Sequence, residues 1–220
     1  MIRVAIRGLG ELLITVGVVV LLFAAYEVYG KAFEVHADQS RLDSALDRQW
    51  GQQAPTRPGQ KPVADKPIPG QGVARLYIPR LGMQWVVVEG VTKHDIKLAP
   101  GHYPDSQLPG QVGNFAVAGH RMPSVFWNID QLREGDPIVV ETRTSWDVYR
   151  VTRNHIIRPT QVSVVAKNPE HPGTPATRKL LTLTTCNPKW DNYQRLVIQA
   201  ELTREDPRGT GTRPAELGGL

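Results

Sequence analysis

The stretch KLLTLTTC, residues 179–186, alternates apolar and hydroxyl side chains and ends in the only cysteine of the chain. Leu181 and Leu183 fall on one face of an extended segment, with threonines between them. Strict alternation of this kind, in β-branched and aliphatic residues, predicts a strand with one buried face. Asn187 and Pro188 follow directly, and proline ends the pairing of a central strand. Cys186 is therefore predicted to lie at the end of a strand.

Short apolar runs of the same type recur on both sides of this stretch and are separated by turn residues. They are VARLYI (73–78), QWVVVE (84–89), NFAVAG (114–119), PIVVET (137–142), WDVYRVTR (146–153) and RLVIQAEL (195–202). Seven or eight short strands with few helices are typical of an all-β barrel or sandwich. A short helix is predicted over residues 123–132, with Ser124 as its N-cap, and a helical turn over 93–98. The folded unit is predicted to span residues 73–203.

The N-terminal 30 residues have the composition of a membrane-spanning helix. No charge interrupts Leu12 to Tyr26, and about 20 apolar residues suffice to cross a bilayer. A cleaved signal peptide would need a small-residue site, which Ala24-Ala25-Tyr26 matches poorly. A buried core helix would show an amphipathic pattern. We therefore predict an uncleaved signal anchor in residues 1–30. Arg3 and Arg7 precede it, so the positive-inside rule places the N-terminus in the cytoplasm and the remainder outside.

Two further segments differ in composition from the strand-rich region. Residues 31–72 are predicted to form a juxtamembrane stalk, with apolar positions at helical spacing, and a linker. Five prolines and four glycines between Gly51 and Gly72 favour an extended linker. Residues 204–220 are polar and glycine-rich, and we predict that this tail is disordered. With the anchor at residues 1–30, these segments leave residues 73–203 as the folded unit.

The distribution of charge argues against nucleic-acid binding and against a calcium site. The 220 residues carry a formal net charge of +5, and residues 73–203 hold 15 basic and 11 acidic side chains. No basic run exceeds Arg178-Lys179, whereas nucleic-acid binders usually carry a clustered basic stripe. The loose acidic group around Asp130, Glu134 and Asp136 is interpreted as a solvated loop and not as a calcium site. We predict neither a metal nor a cofactor.

The chemistry is predicted to centre on Cys186. A free cysteine is often a small buried hydrophobe, but an unpaired cysteine outside the cell is also a candidate reactive thiol. His120 follows the strand at 114–119 and is the best candidate for a neighbouring acid/base group. Arg195 opens the strand after the polar loop 187–194, so adjacent antiparallel strands can place it at the same end as Cys186. Its charged, planar guanidinium suits stabilisation of an oxyanion.

The motif Thr182 to Cys186, with Ala118-Gly119-His120 upstream and Arg195 downstream, resembles the TLxTC signature of sortases. The stretch Ala99 to Pro104 and the lead-in Gly113-Asn114-Phe115 are similar to class E sortases of actinobacteria. The resemblance implies a closed eight-stranded β-barrel and a cysteine transpeptidase. It further implies that an LAxTG or LPxTG sorting signal is cut between Thr and Gly.

The resemblance also implies roles and partners. Cys186 would be the nucleophile, His120 the general acid/base and Arg195 the substrate-positioning and oxyanion group. Tyr103 would contact the second residue of the signal, and Thr185 would line the pocket. Secreted proteins bearing the signal would be the donors, and a cell-wall amine, on a diaminopimelate cross-bridge, the acceptor. Two alternatives stay open: an envelope enzyme similar to L,D-transpeptidases, and a non-catalytic β domain that binds an envelope partner.

Overall fold

The structure, a computed structural model, describes residues 2–52, 67–97, 99–210 and 213–219. A long helix precedes eight strands that are joined by turns and short 3₁₀ helices. The elements are α1 (Ile2–Gln52), β1 (Gly72–Ile78), β2 (Met83–Glu89), β3 (Gly101–His102), β4 (Gly113–Ala118), β5 (Pro137–Glu141), β6 (Ser145–Ile157), β7 (Lys179–Asn187) and β8 (Gln194–Pro207).

The eight strands close into a barrel in the order β1-β2-β3-β4-β7-β8-β6-β5, and β5 pairs with β1. The pairs β2–β3 and β4–β7 are parallel, and the others are antiparallel. Closure leaves no unpaired sheet edge among the described strands. The prediction of an all-β, closed eight-stranded barrel preceded by an apolar N-terminal helix is confirmed.

Apolar side chains at alternate positions of the strands point inward and fill the barrel interior. Phe115, Val117, Leu181 and Leu183 are all at most 1% exposed and belong to one core cluster. The two-residue strand β3 fits between β2 and β4 only because residue 101 is glycine. A Cβ atom there would lie 2.1 Å from the carbonyl oxygen of Gly90. No separate run of apolar residues had marked β3 as a strand in the sequence.

Helix α1 combines the predicted anchor with the predicted stalk. Its segment Ile6–Tyr26 has a mean hydropathy of 2.3, and none of it is buried against the rest of the protein. A single-pass membrane anchor would have these properties. The helix then continues onto the barrel. Val35 and Leu46 are buried there, and the backbone N–H of Val86 donates to the side chain of Gln39 at 2.7 Å. Residues 53–66 of the predicted linker lie outside the described residues.

The described part of the C-terminal segment differs from the predicted disordered tail. Strand β8 continues to Pro207, beyond the predicted boundary at 203. Leu217 is 1% exposed and packs in a second apolar cluster on the outside of the barrel, with Tyr77, Val139, Trp146 and Val148. The C-terminal segment shields this outer apolar surface from water. Its Glu216 also forms ion pairs with Arg150 and Arg204. The local composition of the tail carried no sign of this distant partner.

The helix predicted over residues 123–132 is largely replaced by turns. A 3₁₀ helix covers only Ile129–Gln131, and Ser124 makes no N-cap there. Val125, Phe126 and Ile129 are fully buried, so packing into the barrel end determines the path of the chain. The helical turn predicted near residue 95 is present as a 3₁₀ helix over Asp95–Lys97.

Candidate active site

Strand β7 presents two chemically different faces. The inward face carries Leu181 and Leu183, which are fully buried in the core. Successive side chains of a strand point to opposite faces. Thr184 and Cys186 therefore lie on the outer face of the barrel, where Cys186 is half-buried. The free thiol is thus reachable from outside while its backbone belongs to the central ladder.

Arg195 lies directly opposite Cys186 in the register of β7 and β8. Paired residues of antiparallel strands share a face, with Cβ atoms about 5 Å apart. The Nη1 of Arg195 donates to the carbonyl oxygens of Asn192 and Gln194 at 2.6 and 2.8 Å. The strand-loop-strand arrangement predicted from the sequence is therefore present, and the loop holds one nitrogen of the guanidinium.

His120 follows strand β4, which runs parallel to β7. The last register pair is Ala118 with Thr184, and Gly119 N–H donates to the carbonyl of Thr184 at 3.0 Å. His120 and Cys186 each follow this pair by two residues. A Cβ on Gly119 would lie 2.5 Å from the Phe126 ring, so glycine before the histidine allows the chain to turn tightly over the core. The structure thus gathers His120, Cys186 and Arg195 at one end of three adjacent strands.

Tyr103 reaches the same outer face from the segment after β3. Its hydroxyl lies 3.2 Å from Oγ1 of Thr184, two residues before Cys186. The backbone N–H of Tyr103 donates to the carbonyl of Ala116 at 3.0 Å, which ties the residue to β4. Tyr103 is therefore next to the strand that carries the thiol.

Thr185 lies on the opposite face from Cys186. It is 3% exposed, and its hydroxyl has no hydrogen-bond partner among the described residues. Alternation turns its side chain toward the core with Leu183, so Thr184 and not Thr185 is the threonine whose hydroxyl faces Tyr103. Thr185 can therefore line the pocket through its backbone but not through its hydroxyl.

The sequence analysis did not identify three residues that surround the site. His102 is buried in β3, and its Nδ1 lies 2.6 Å from Glu89 Oε2. Ser106 Oγ contacts His102 Nε2 at 3.0 Å and donates to the carbonyl of Tyr103 at 2.7 Å. Arg121 places its Nη1 3.4 Å from the carbonyl oxygen of Cys186. In the sequence, only the closeness of His102 and Ser106 to Tyr103, and of Arg121 to His120, could have indicated these residues.

A cavity of about 500 Å³ lies on the outer face of β6 and β8, beside the row that joins Cys186 to Arg195. Ile157, which pairs with Arg195, lines it together with His155 and Gln199. Burial and the nearby Arg153 lower the pKa of His155. In the described part of the chain, no three His, Cys, Asp or Glu side chains form a metal-binding group.

The chain shows clear similarity to known proteins. A family model described as the sortase domain matches residues 76–203. Sortase SrtE1 of Streptomyces coelicolor is 33% identical over 94% of this chain. The match spans only 60% of the length of that relative. Sortase SrtE2 of the same organism is 33% identical over 97% of this chain and 88% of its own length.

Solved structures agree with this similarity. The SrtF sortase from Corynebacterium diphtheriae has a TM-score of 0.65 and 35% identity, covering 74% of this chain and 98% of its own. Sortase E1 from Streptomyces coelicolor, solved with a tripeptide in the active site, has a TM-score of 0.62 and 33% identity, over 69% and 99% of the two chains. Fold, domain match and overall identity all agree, and they decide against the L,D-transpeptidase alternative. The chain therefore belongs to the sortase family, whose members are cysteine transpeptidases.

Proposed function

We propose that this protein is a membrane-anchored class E sortase that transfers secreted proteins to a cell-wall amine. The observation that carries the proposal is the register pair of Cys186 with Arg195, beside the turn that carries His120. A thiol, an imidazole and a guanidinium at one strand end supply a nucleophile, an acid/base and an oxyanion donor. Membership of the sortase family supports the assignment of these roles.

In the first half-reaction, the thiolate of Cys186 attacks the carbonyl carbon of the threonine in the sorting signal. A tetrahedral oxyanion forms, and the bond to the glycine nitrogen breaks as the imidazolium of His120 gives that nitrogen its proton. The products are a thioester on Cys186, neutral His120 and a peptide with a free glycine amine. Covalent catalysis of this type divides one difficult acyl transfer into two easier steps.

In the second half-reaction, the acceptor amine attacks the thioester carbonyl. His120 removes a proton from the attacking nitrogen, the C–S bond breaks, and Cys186 leaves as thiolate. The new amide joins the threonine to the acceptor. Water attacking in place of the amine would release the protein instead, so limited access of water to the thioester favours transfer.

Arg195 is proposed to stabilise the oxyanion in both half-reactions. Its Nη1 is bonded to two loop carbonyls, while among the described residues Nε and Nη2 make no hydrogen bond to protein. A guanidinium presents its donors in a fixed fork and stays charged at every working pH. The loop thus orients the group, and two edges of it stay available to substrate oxygens.

We propose LAxTG as the preferred signal, with LPxTG as the alternative. Tyr103 is proposed to contact the second residue of the signal, because its ring and hydroxyl lie beside Thr184 on the face that carries Cys186. Thr185 is proposed to contribute through its backbone. The similarity to SrtE1 and SrtE2 supports a class E specificity.

The proposed location is the cell membrane, with the N-terminus in the cytoplasm and the barrel outside. The apolar segment Ile6–Tyr26 supports the anchor, and Arg3 and Arg7 support the orientation. Residues 1–30 would be the anchor, 31–72 the stalk and linker, and 73–203 the catalytic unit. The proposed partners are secreted proteins with a C-terminal signal and the amine of a diaminopimelate cross-bridge, in a housekeeping anchoring role.

The test uses the full chain in a mild detergent, incubated with a labelled LAxTG peptide. Mass spectrometry should detect an acyl adduct on Cys186, and addition of an amine should convert it to the transpeptidation product. Cys186→Ala and His120→Ala should abolish cleavage, whereas His171→Ala, in an exposed loop, should not. Full activity of the Cys186→Ala protein would rule out the thioester mechanism.

A further inference from the structure

Arg121 follows His120 directly and is buried beside the nucleophile. Its side chain is only 4% exposed. Each guanidinium nitrogen has its own partner: Nε donates to the carbonyl of Trp127 at 2.9 Å, Nη1 to that of Cys186 at 3.4 Å, and Nη2 pairs with Asp130 at 3.1 Å. This one side chain therefore ties the backbone of Cys186 to the segment that follows the histidine.

The pairing of Arg121 also extends to the loop between β7 and β8. Asp130 lies 3.6 Å from the Nζ of Lys189, which donates to the side chain of Asn128 at 3.2 Å and stacks over the Trp127 ring at 5.1 Å. The segments on the two sides of Cys186 are thus braced against each other. Arg121 is the buried member of this brace, and Asp130 and Lys189 are its more exposed members.

Charge gives Arg121 a second effect at the thiol. Burial lowers the pKa of the Arg121 guanidinium, and the negative charge of Asp130 opposes this in part. The guanidinium stays charged at any working pH, and its Nη1 lies 3.4 Å from the carbonyl oxygen of Cys186. A permanent positive charge therefore lies close to the thiol, and a nearby cation favours a thiolate. A low-dielectric setting strengthens this effect, because little water screens the pair.

We propose that Arg121 is a positioning residue that fixes the backbone of Cys186 and supplies a permanent positive charge that favours its thiolate. The proposal rests on Cys186 being the nucleophile. The two arginines at the site then have different roles. Arg121 is saturated by protein partners and acts on the enzyme's own nucleophile, whereas Arg195 keeps part of its guanidinium for the substrate.

The other charged or titratable groups around Cys186 come from each neighbouring element. They are His120 from the turn after β4, Arg195 from β8, Lys189 from the loop between β7 and β8, Asp130 through Arg121, and Tyr103 through Thr184. A variant of Arg121 or Asp130 keeps all of these side chains in the protein. Comparing it with Arg121→Lys, which keeps the charge but loses contacts, then separates a change in charge from a change in position.

The test measures the rate of alkylation of Cys186 by iodoacetamide between pH 5 and 10, using the full chain in detergent. The chain has a single cysteine, so no other thiol contributes. Arg121→Met should move the midpoint up by about one pH unit, which is about tenfold slower alkylation below the midpoint. Asp130→Asn removes the negative charge that opposes Arg121 and should move the midpoint down.

Two further variants separate position from charge. Arg121→Lys keeps the charge but cannot serve three partners, so its alkylation profile should stay near the wild-type profile while kcat falls about tenfold or more. Arg150 also binds a carbonyl, of Gly135, and a carboxylate, of Glu216 in the C-terminal segment. Arg150→Met should leave both the alkylation profile and kcat unchanged.

Opposite shifts for Arg121→Met and Asp130→Asn would support the proposal. A folded Arg121→Met protein with the wild-type midpoint would overturn it, as would shifts of the same sign. If thermal unfolding shows that Arg121→Met does not fold, the Asp130→Asn midpoint and the Arg121→Lys comparison decide. Alkylation does not depend on transpeptidation, so failure of the proposed function would show separately, as activity retained by Cys186→Ala.

Discussion

Arg75 and Arg195 occupy regions of the barrel that use the same side chain in opposite ways. Arg75 is 6% exposed and pairs with Asp43 and Asp47 of helix α1 and with Glu141 of β5. Arg195 is half-buried, and only its Nη1 is bonded to protein among the described residues. A saturated guanidinium holds two parts of a fold together, whereas one with free donors can bind a substrate. The comparison predicts that stability and activity are separable between these regions.

The largest expected effect follows from removing the buried cation. Arg75→Met leaves Glu141, 5% exposed, with one cation fewer, and it also frees Asp43 and Asp47 of α1. Breaking a buried ion pair from one side costs about 3–5 kcal/mol. We expect the free energy of unfolding to fall by that amount in urea titrations of the full chain in detergent. The kcat of the folded protein should change little, because the cluster lies away from Cys186.

A surface arginine provides the control for Arg75. Arg178 is 40% exposed and pairs with Glu170 and Glu201. Exposed ion pairs contribute about 0–1 kcal/mol, so Arg178→Met should have a small effect on unfolding. Equal losses for Arg75→Met and Arg178→Met would contradict the interpretation of the Arg75 cluster as the connection between α1 and the barrel.

The reverse result is expected at Arg195. Arg195→Lys keeps a positive charge but loses the planar fork, and loss of one oxyanion donor costs about 10²–10³ in kcat. The free energy of unfolding should stay close to that of the wild type. Arg204→Lys, an exposed arginine on the same strand paired with Asp206 and Glu216, serves as the control. An unchanged kcat/KM for Arg195→Lys would remove its assigned role.

The two regions also differ in how far the sequence predicts them. The Cys186–Arg195 pair could be predicted because a strand, a nine-residue step and a second strand bring its members together locally. Arg75 meets Glu141 across 66 residues, and Arg121 meets Cys186 across 65. Periodicity identifies which residues are buried, but it does not say which distant charge meets which. For the same reason, the sequence does not predict that Leu217 packs against the outer apolar cluster.

A third region extends the comparison to a buried anion. Asp147 of β6 is fully buried, and neither carboxylate oxygen is hydrogen-bonded to a described residue. Burial raises its pKa to about 6, and the neighbouring Ser145 and Lys179 oppose the rise only in part. The folded state therefore binds this proton more tightly than the unfolded chain does. The free energy of unfolding falls as pH rises from about 4 to about 6, and it stays lower above that range.

Asp147→Asn should remove this loss. At high pH, the free energy of unfolding of Asp147→Asn should exceed that of the wild type by about 3 kcal/mol. About 2 kcal/mol of this difference should develop between pH 4.5 and pH 8. Urea titrations of both proteins at the two pH values measure the difference, and other titrating groups cancel because both chains share them. Asp105→Asn, at an exposed position, should show no such dependence. A gain for Asp147→Asn that is equal at both pH values would show that ionisation of Asp147 is not the cause.

The smallest expected effect concerns Tyr103, which lies between the structural and the catalytic regions. Tyr103→Phe keeps the ring and removes only the hydroxyl that lies 3.2 Å from Thr184 Oγ1. A neutral hydrogen bond contributes about 1 kcal/mol, so kcat/KM for an LAxTG peptide should fall about fivefold. The preference for LAxTG over LPxTG should narrow as the ring loses its fixed orientation. Tyr193→Phe, on the exposed loop between β7 and β8, should change neither value. If the preference between the two signals stays the same in Tyr103→Phe and in Tyr103→Ala, the signal is selected by groups other than Tyr103, and its proposed contact with the second residue is wrong.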